Sequence, residues 1–241
     1  MNPEFLFLAV VFFVAGIVPE LIGFGVASIL MATIPFVIPV PVAIPLVAIM
    51  STIATGIVAL QTKTRETIEH VAPLLIGSIL GVVLGMFFLE AIINGHVVRM
   101  FLAIFLMSYS LFGMLLKHHI WPTGKIAGAF TGLAGGFFGA SFNIHGPLVG
   151  LYSSSNGKLS KAQTKNLIAT YMFFTGLFTV VGHTASNRIT NDVLMYGLLG
   201  LPFILLGLAV GNKIFGRISA VWIKRGIYFV VFFAGVTLLL L

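Results

Sequence analysis

Glu20 is the only acidic residue between Phe5 and Leu60, a stretch otherwise made almost wholly of apolar and small residues. A carboxylate within hydrocarbon is costly enough that its default reading is functional, and the chemistry it offers there is proton coupling. The competing reading is a carboxylate near an interface, or one that serves a helix end as an inert hydrogen-bond partner. A second cluster lies in Gly139-Ala140-Ser141-Phe142-Asn143-Ile144-His145-Gly146-Pro147, where Ser141, Asn143 and His145 interrupt an apolar run. With backbone amides freed at a break over Gly135, Gly136 and Gly139, these side chains would replace part of the water shell of an oxyanion. Interhelical hydrogen bonding by buried polar side chains is the alternative.

Other chemistries find less support. Ser141 with His145 or His183 would suit an intramembrane serine hydrolase, but there is no GxSxG elbow and no acidic third member. The chain has no cysteine and no HExxH spacing, so the expectation is no metal site, no cofactor and no enzymatic activity. His118, His119 and His183 fall in loops or at segment ends, where a solvated histidine is expected.

The elements that carry these residues are membrane elements. A hydrophobic fraction of 59%, 8% charged residues and a mean hydropathy of +1.14 lie far outside the range of soluble domains. The formal charge of +7 comes from basic residues scattered over short loops, which suits membrane topology and not nucleic acid. Met1-Asn2-Pro3-Glu4 has no lysine or arginine ahead of the first apolar run, so that run is expected to be retained.

Apolar segments run over residues 5–40, 42–60, 71–93, 97–116, 126–152, 167–182, 193–212 and 221–241, with polar breaks at 61–70, 117–125, 153–165 and 183–192. Ser160 with Gln163 reads as a capping box, and Asn156-Gly157 as a turn. The first and fifth segments are too long for one upright helix and are interrupted at Pro19 to Gly25 and at Gly135 to Gly139. Each is a tilted helix or a pair of half-helices. Loop charge favours segments that enter and return: only Arg99 and Arg188 then lie on one side, with every other lysine and arginine opposite.

Gly81, Gly85 and Arg99 recur as Gly207, Gly211 and Arg225, each 126 residues later. The expected fold is therefore an all-α integral membrane protein of two homologous repeats, 1–118 and 123–241, inverted relative to each other. Each repeat has a broken or re-entrant first segment and three transmembrane helices. The four-residue glycine spacing marks close helix packing, whereas Gly23, Gly25, Gly135, Gly136 and Gly139 at the breaks are where backbone would approach ligand. Arginine at a helix end usually anchors depth, so Arg99 and Arg225 are read as anchors before substrate ligands.

Gly23-Phe24-Gly25 followed by Pro35, Gly135 to Gly139 followed by Pro147, and the later Gly81-x-x-x-Gly85 and Gly207-x-x-x-Gly211 resemble the paired signature of the TauE/SafE sulfite-exporter family. The resemblance spans nearly the whole chain. It implies a multi-pass carrier in the cytoplasmic membrane of a bacterium or archaeon, moving a small sulfur-containing anion such as sulfite, sulfoacetate or another organosulfonate. The family's run of adjacent glycines is thinned here to Gly23-Phe24-Gly25 and preceded by Pro19-Glu20, which leaves the anion open. The expected mechanism is alternating access, with Gly23, Gly25, Gly135, Gly136, Gly139, Ser141, Asn143 and His145 at the substrate and Glu20 coupling protons. The expected partners are a small anion, protons and the lipid bilayer, with a homodimer allowed and no nucleic acid. A passive anion channel is the alternative.

Overall fold

Lipid offers the backbone no hydrogen-bond partner, so long apolar segments must satisfy their own amides and carbonyls, and helices do so locally. The computed structural model describes residues 3–61, 65–92, 96–115, 121–155, 159–217 and 219–240. These form α1 (Pro3–Ile22), α2 (Val26–Thr33), a 3-10 turn (Ile34–Phe36), α3 (Val40–Leu60), α4 (Arg65–Ile92) and α5 (His96–Leu115). They continue as α6 (Lys125–Phe142), α7 (Gly146–Ser155), α8 (Lys161–Ala185), α9 (Asn191–Ile214) and α10 (Ala220–Leu240). Seven helices among the described residues are long and apolar enough to cross a membrane: α1, α3, α4, α5, α8, α9 and α10.

Several polar breaks are shorter than hydropathy suggested, because helices extend past their apolar cores. α4 already begins at Arg65 and α8 at Lys161. Ser160 caps α8 as expected, its hydroxyl accepting from the Gln163 amide at 3.2 Å while the Gln163 side chain accepts from the Ser160 amide at 2.8 Å. The Asn156-Gly157 turn, His118 and His119 lie outside the described residues.

Glycines determine which helices touch. A side-chain carbon at Gly81 would collide with the carbonyl of Leu133, and one at Gly85 with that of Phe137, so α4 and α6 pack backbone to backbone in the same direction. Gly207 and Gly211 of α9 meet the carbonyls of Phe13 and Ile17 of α1 in the same way. The 126-residue echo on one side of each contact thus meets a 120-residue echo on the other. α3 and α8 run antiparallel: Gly176 faces Thr52, Gly56 faces Phe173, and Asn166 Nδ2 donates to the Ala59 carbonyl at 3.0 Å. α5 and α10 are also antiparallel, with Gly235 against Ala103 and Gly113 against Tyr228.

These directions dictate the path of the two long segments. α1 and α3 finish at the same level, where Gln61 binds Glu20, so α2 and the 3-10 turn must carry the chain back to the start of α3. α8 runs parallel to α4, with Gly182 against Met86 and Arg188 paired to Glu90, so α6 and α8 also share a direction. α7 therefore returns the chain to the start of α8. Both segments enter the bundle and come back.

The breaks differ from expectation in position. α1 continues through Pro19 and Glu20 and ends at Ile22, while α6 runs unbroken through Gly135, Gly136 and Gly139 to Phe142. The interruptions are Gly23-Phe24-Gly25 and Asn143-Ile144-His145, 120 residues apart. Each opens with a left-handed residue, φ 84° at Gly23 and 60° at Asn143, whose amide donates four residues back, to Pro19 and to Gly139, both at 2.8 Å. Asparagine tolerates that conformation, so the second break hides from a search for glycine.

Candidate functional site

The breaks meet through Phe24. Its ring lies so close to Gly146, the first residue of α7, that a side-chain carbon there would overlap it, and it also touches the position of Gly150. The residue between the two glycines of the first break is thus packed on the helix that leaves the second.

Most of the expected oxyanion ligands are already engaged. Gly135, Gly136 and Gly139 lie within the continuous hydrogen-bonding ladder of α6, so their amides are not freed at a break. Their bare faces instead accommodate the Tyr171 hydroxyl, the Ser78 backbone and the His145 ring; a side-chain carbon would stand 2.6, 2.6 and 2.5 Å from these groups. Ser141 donates toward the Phe137 and Gly85 carbonyls at 2.8 and 3.2 Å, and Asn143 Nδ2 donates to the Ile44 carbonyl at 2.8 Å. Gly23 and Gly25 serve conformation and close approach: side-chain carbons there would lie 2.6 Å from the Lys165 carbonyl and 2.5 Å from Val18. Of the three polar side chains, His145 alone is buried with neither ring nitrogen hydrogen-bonded.

Glu20 is not a solitary carboxylate. It is 1% exposed and pairs with Lys165, Nζ to Oε2 3.2 Å, while Gln61 donates to its other oxygen and accepts from Lys165 at 3.2 Å. The Lys165 ammonium also lies 4.3 Å above the Phe215 ring. The pair joins the ends of α1 and α3 to the start of α8. His183, expected in solvent, is fully buried in α8 with both nitrogens unbonded.

A cavity of about 800 Å³ opens where α5 ends and α10 begins. Phe24, Gly150, Tyr228, Lys224 and Arg225 line it. The Lys224 ammonium stands 5.8 Å from the Phe24 ring, and no carboxylate pairs with it among the described residues; the Arg225 guanidinium lies 5.7 Å from the Trp222 ring. Lys125, Lys161, Lys165, Lys213 and Arg217 belong to the same end of the bundle, while Arg99 and Arg188 belong to the other. Two cations in the first turns of α10, where its amides add positive potential, make this cavity favourable to an anion and hostile to a cation. Lys224 and Tyr228 were not among the expected site residues. The signal was the Trp222-Lys224-Arg225 group at the head of an apolar segment, which is also the usual signature of an interface anchor.

A second cavity of about 210 Å³ lies beside the first, lined by Phe105, Phe112, Phe138 and Leu148 with Tyr109 and His145. Neither cavity includes Glu20, Ser141 or Asn143.

Apolar helices of crossing length, with two hairpins interrupted within the bundle, define a multi-pass membrane protein. The chain belongs to the TauE/SafE sulfite exporter family, whose sequence model, Sulfite exporter TauE/SafE, matches residues 8–238, and that family match makes it a transporter. No curated protein and no solved structure matches it.

Proposed function

We propose that the chain is a secondary carrier that moves a small sulfur-containing anion, such as sulfite, sulfoacetate or another organosulfonate, by alternating access across the cytoplasmic membrane of a bacterium or archaeon. The observation that carries this reading is the cavity holding Lys224 and Arg225, which reaches Phe24 where the two broken segments meet. Residues 1–118 and 123–241 act as two inverted repeats. The antiparallel pairs α3/α8 and α5/α10, together with the reciprocal contacts α1/α9 and α6/α4, support that symmetry. The positive-inside rule puts the lysine-rich end in the cytoplasm, so both termini are outside and the cavity faces inward.

Proton coupling takes a specific form in this reading. Protonation of Glu20 would release Lys165 and loosen the junction of α1, α3 and α8, coupling charge to a change of packing. A serine hydrolase is less well supported, because Ser141 donates to two carbonyls and hydrogen-bonds neither His145 nor His183.

Uptake into proteoliposomes, measured over sulfite, sulfonates, carboxylates and sulfate, tests the carrier. Saturable, protein-dependent flux of at least one of these anions is expected, weakened by Lys224→Gln. Absence of flux for all of them overturns the reading, and linear flux insensitive to Glu20→Gln and to a pH gradient favours a passive channel.

A further inference from the structure

The smaller cavity follows the same faces of α5 and α7 as the larger one, a turn or so deeper. Phe112 and Leu148 border it where Gly113 and Gly150 border its neighbour. Between them stand two tyrosines: Tyr109 lines the inner cavity, Tyr228 the outer, and their rings meet edge to face at 5.8 Å. The Tyr109 hydroxyl shares a hydrogen bond with Ser28 of α2 at 2.8 Å, so the partition is tied to the first hairpin.

His145 is 6% exposed, lines the inner cavity, and makes no hydrogen bond through either nitrogen. Its ring is held in place. Gly139 provides the space behind Nδ1, and Tyr171 packs edge to face at 5.6 Å while donating its own hydroxyl to the Gly132 carbonyl at 3.0 Å. A buried imidazole N–H with no acceptor is a standing cost that a bound anion would relieve. Phe105, Phe112 and Phe138 form walls that favour hydrocarbon over a hydrated ion.

We infer that the His145 cavity, whose open side is marked by the exposed Ser108 of α5, is a second binding compartment for a small oxyanion with a short apolar body, a sulfonate or a carboxylate, set off from the outer cavity by Tyr109 and Tyr228. The inference rests on the carrier reading above. In the neutral tautomer that carries its proton on Nε2, the nitrogen turned away from Gly139, the imidazole donates one N–H to the oxyanion, and the phenylalanines receive the hydrocarbon. Inorganic sulfite has no such body and gains little from those walls.

Thermal-shift titrations of the purified protein with ethanesulfonate, propionate and sulfite, paired with proteoliposome uptake of each, test the compartment. Half-saturation by ethanesulfonate or propionate is expected about tenfold below that of sulfite, and His145→Asn is expected to raise it by about tenfold. Leu148→Phe, which reduces the space between the phenylalanines and leaves the imidazole in place, should weaken the organic anions more than it weakens sulfite. Unaltered titrations in both variants, with flux intact, overturn the second compartment and leave the carrier reading standing. Wild-type protein that neither responds to any anion nor transports one overturns both.

Discussion

Glu20 and Lys165 lie 145 positions apart and pair across 3.2 Å inside the bundle, with Gln61 bridging both partners. A buried ion pair does little net work for stability, but removing one partner strands the other charge in a dry site. Glu20→Leu or Lys165→Met alone is therefore expected to cost about 3–5 kcal/mol. The apolar double variant Glu20→Leu with Lys165→Met should recover most of that loss. Unfolding of the four proteins in a double-mutant cycle measures it, and strictly additive losses would contradict the pairing.

The same pair separates coupling from scaffolding. If protonation of Glu20 drives transport, the double variant should fold and still exchange anions while losing its response to a pH gradient. A gradient response equal to wild type would confine Glu20 to a structural role.

Gly81 and Gly207 sit where helix backbones touch, and a side-chain carbon at either collides with the carbonyl of Leu133 or Phe13. Substitution by alanine at either position should destabilise by about 1–3 kcal/mol, because the helices must separate. Gly226, with nothing within 4 Å of its added carbon, is the control. Thermal melts should leave Gly226→Ala near wild type, and equal losses at all three would refute the packing role.

Asn143 and Gly23 hold equivalent left-handed positions but are not interchangeable. Asn143→Gly keeps the backbone and loses only the bond to Ile44, whereas Asn143→Ala also forces alanine to φ 60° and should cost about 1–2 kcal/mol more. Gly23→Asn should fail despite asparagine's tolerance of that conformation, because a side-chain carbon there lies 2.6 Å from the Lys165 carbonyl. Melting temperatures ordered otherwise would mean that the breaks are not held as described.

Lys224 and Arg225 predict a graded response. Lys224 is half-buried beside Phe24, whereas Arg225 is exposed, so neutralising Lys224 should raise the half-saturation for anion uptake more than neutralising Arg225. High salt should reduce the Arg225 effect first. Equal effects of the two would point to general surface charge in place of a site.

How much of this was legible in the chain varies from residue to residue. The glycines at 81, 85, 207 and 211 announced close packing through spacing alone, but not which helices they touch, since the partners Phe13, Ile17, Leu133 and Phe137 are ordinary apolar residues. The second break was sought at Gly135 to Gly139 and lies at Asn143 to His145. Glycine in a membrane helix more often admits a neighbour than ends the helix, and a left-handed turn can be made by asparagine. Glu20 stood out as a lone charge because Lys165 comes so much later in the chain.

Composition, the run lengths and the 126-residue echo determined that the chain is a helical multi-pass membrane protein, because hydrocarbon restricts the backbone to few solutions. Loop charge also indicated that the first and fifth segments return. Only the tertiary structure decided what the polar residues do. It occupied Ser141 and Asn143 with backbone carbonyls, gave Glu20 its lysine, left His145 unpaired, and set Lys224 beside Phe24. Whether a buried polar group is satisfied depends on which distant carbonyl or charge the packing brings within 3 Å or so, and that distance is not written in local spacing.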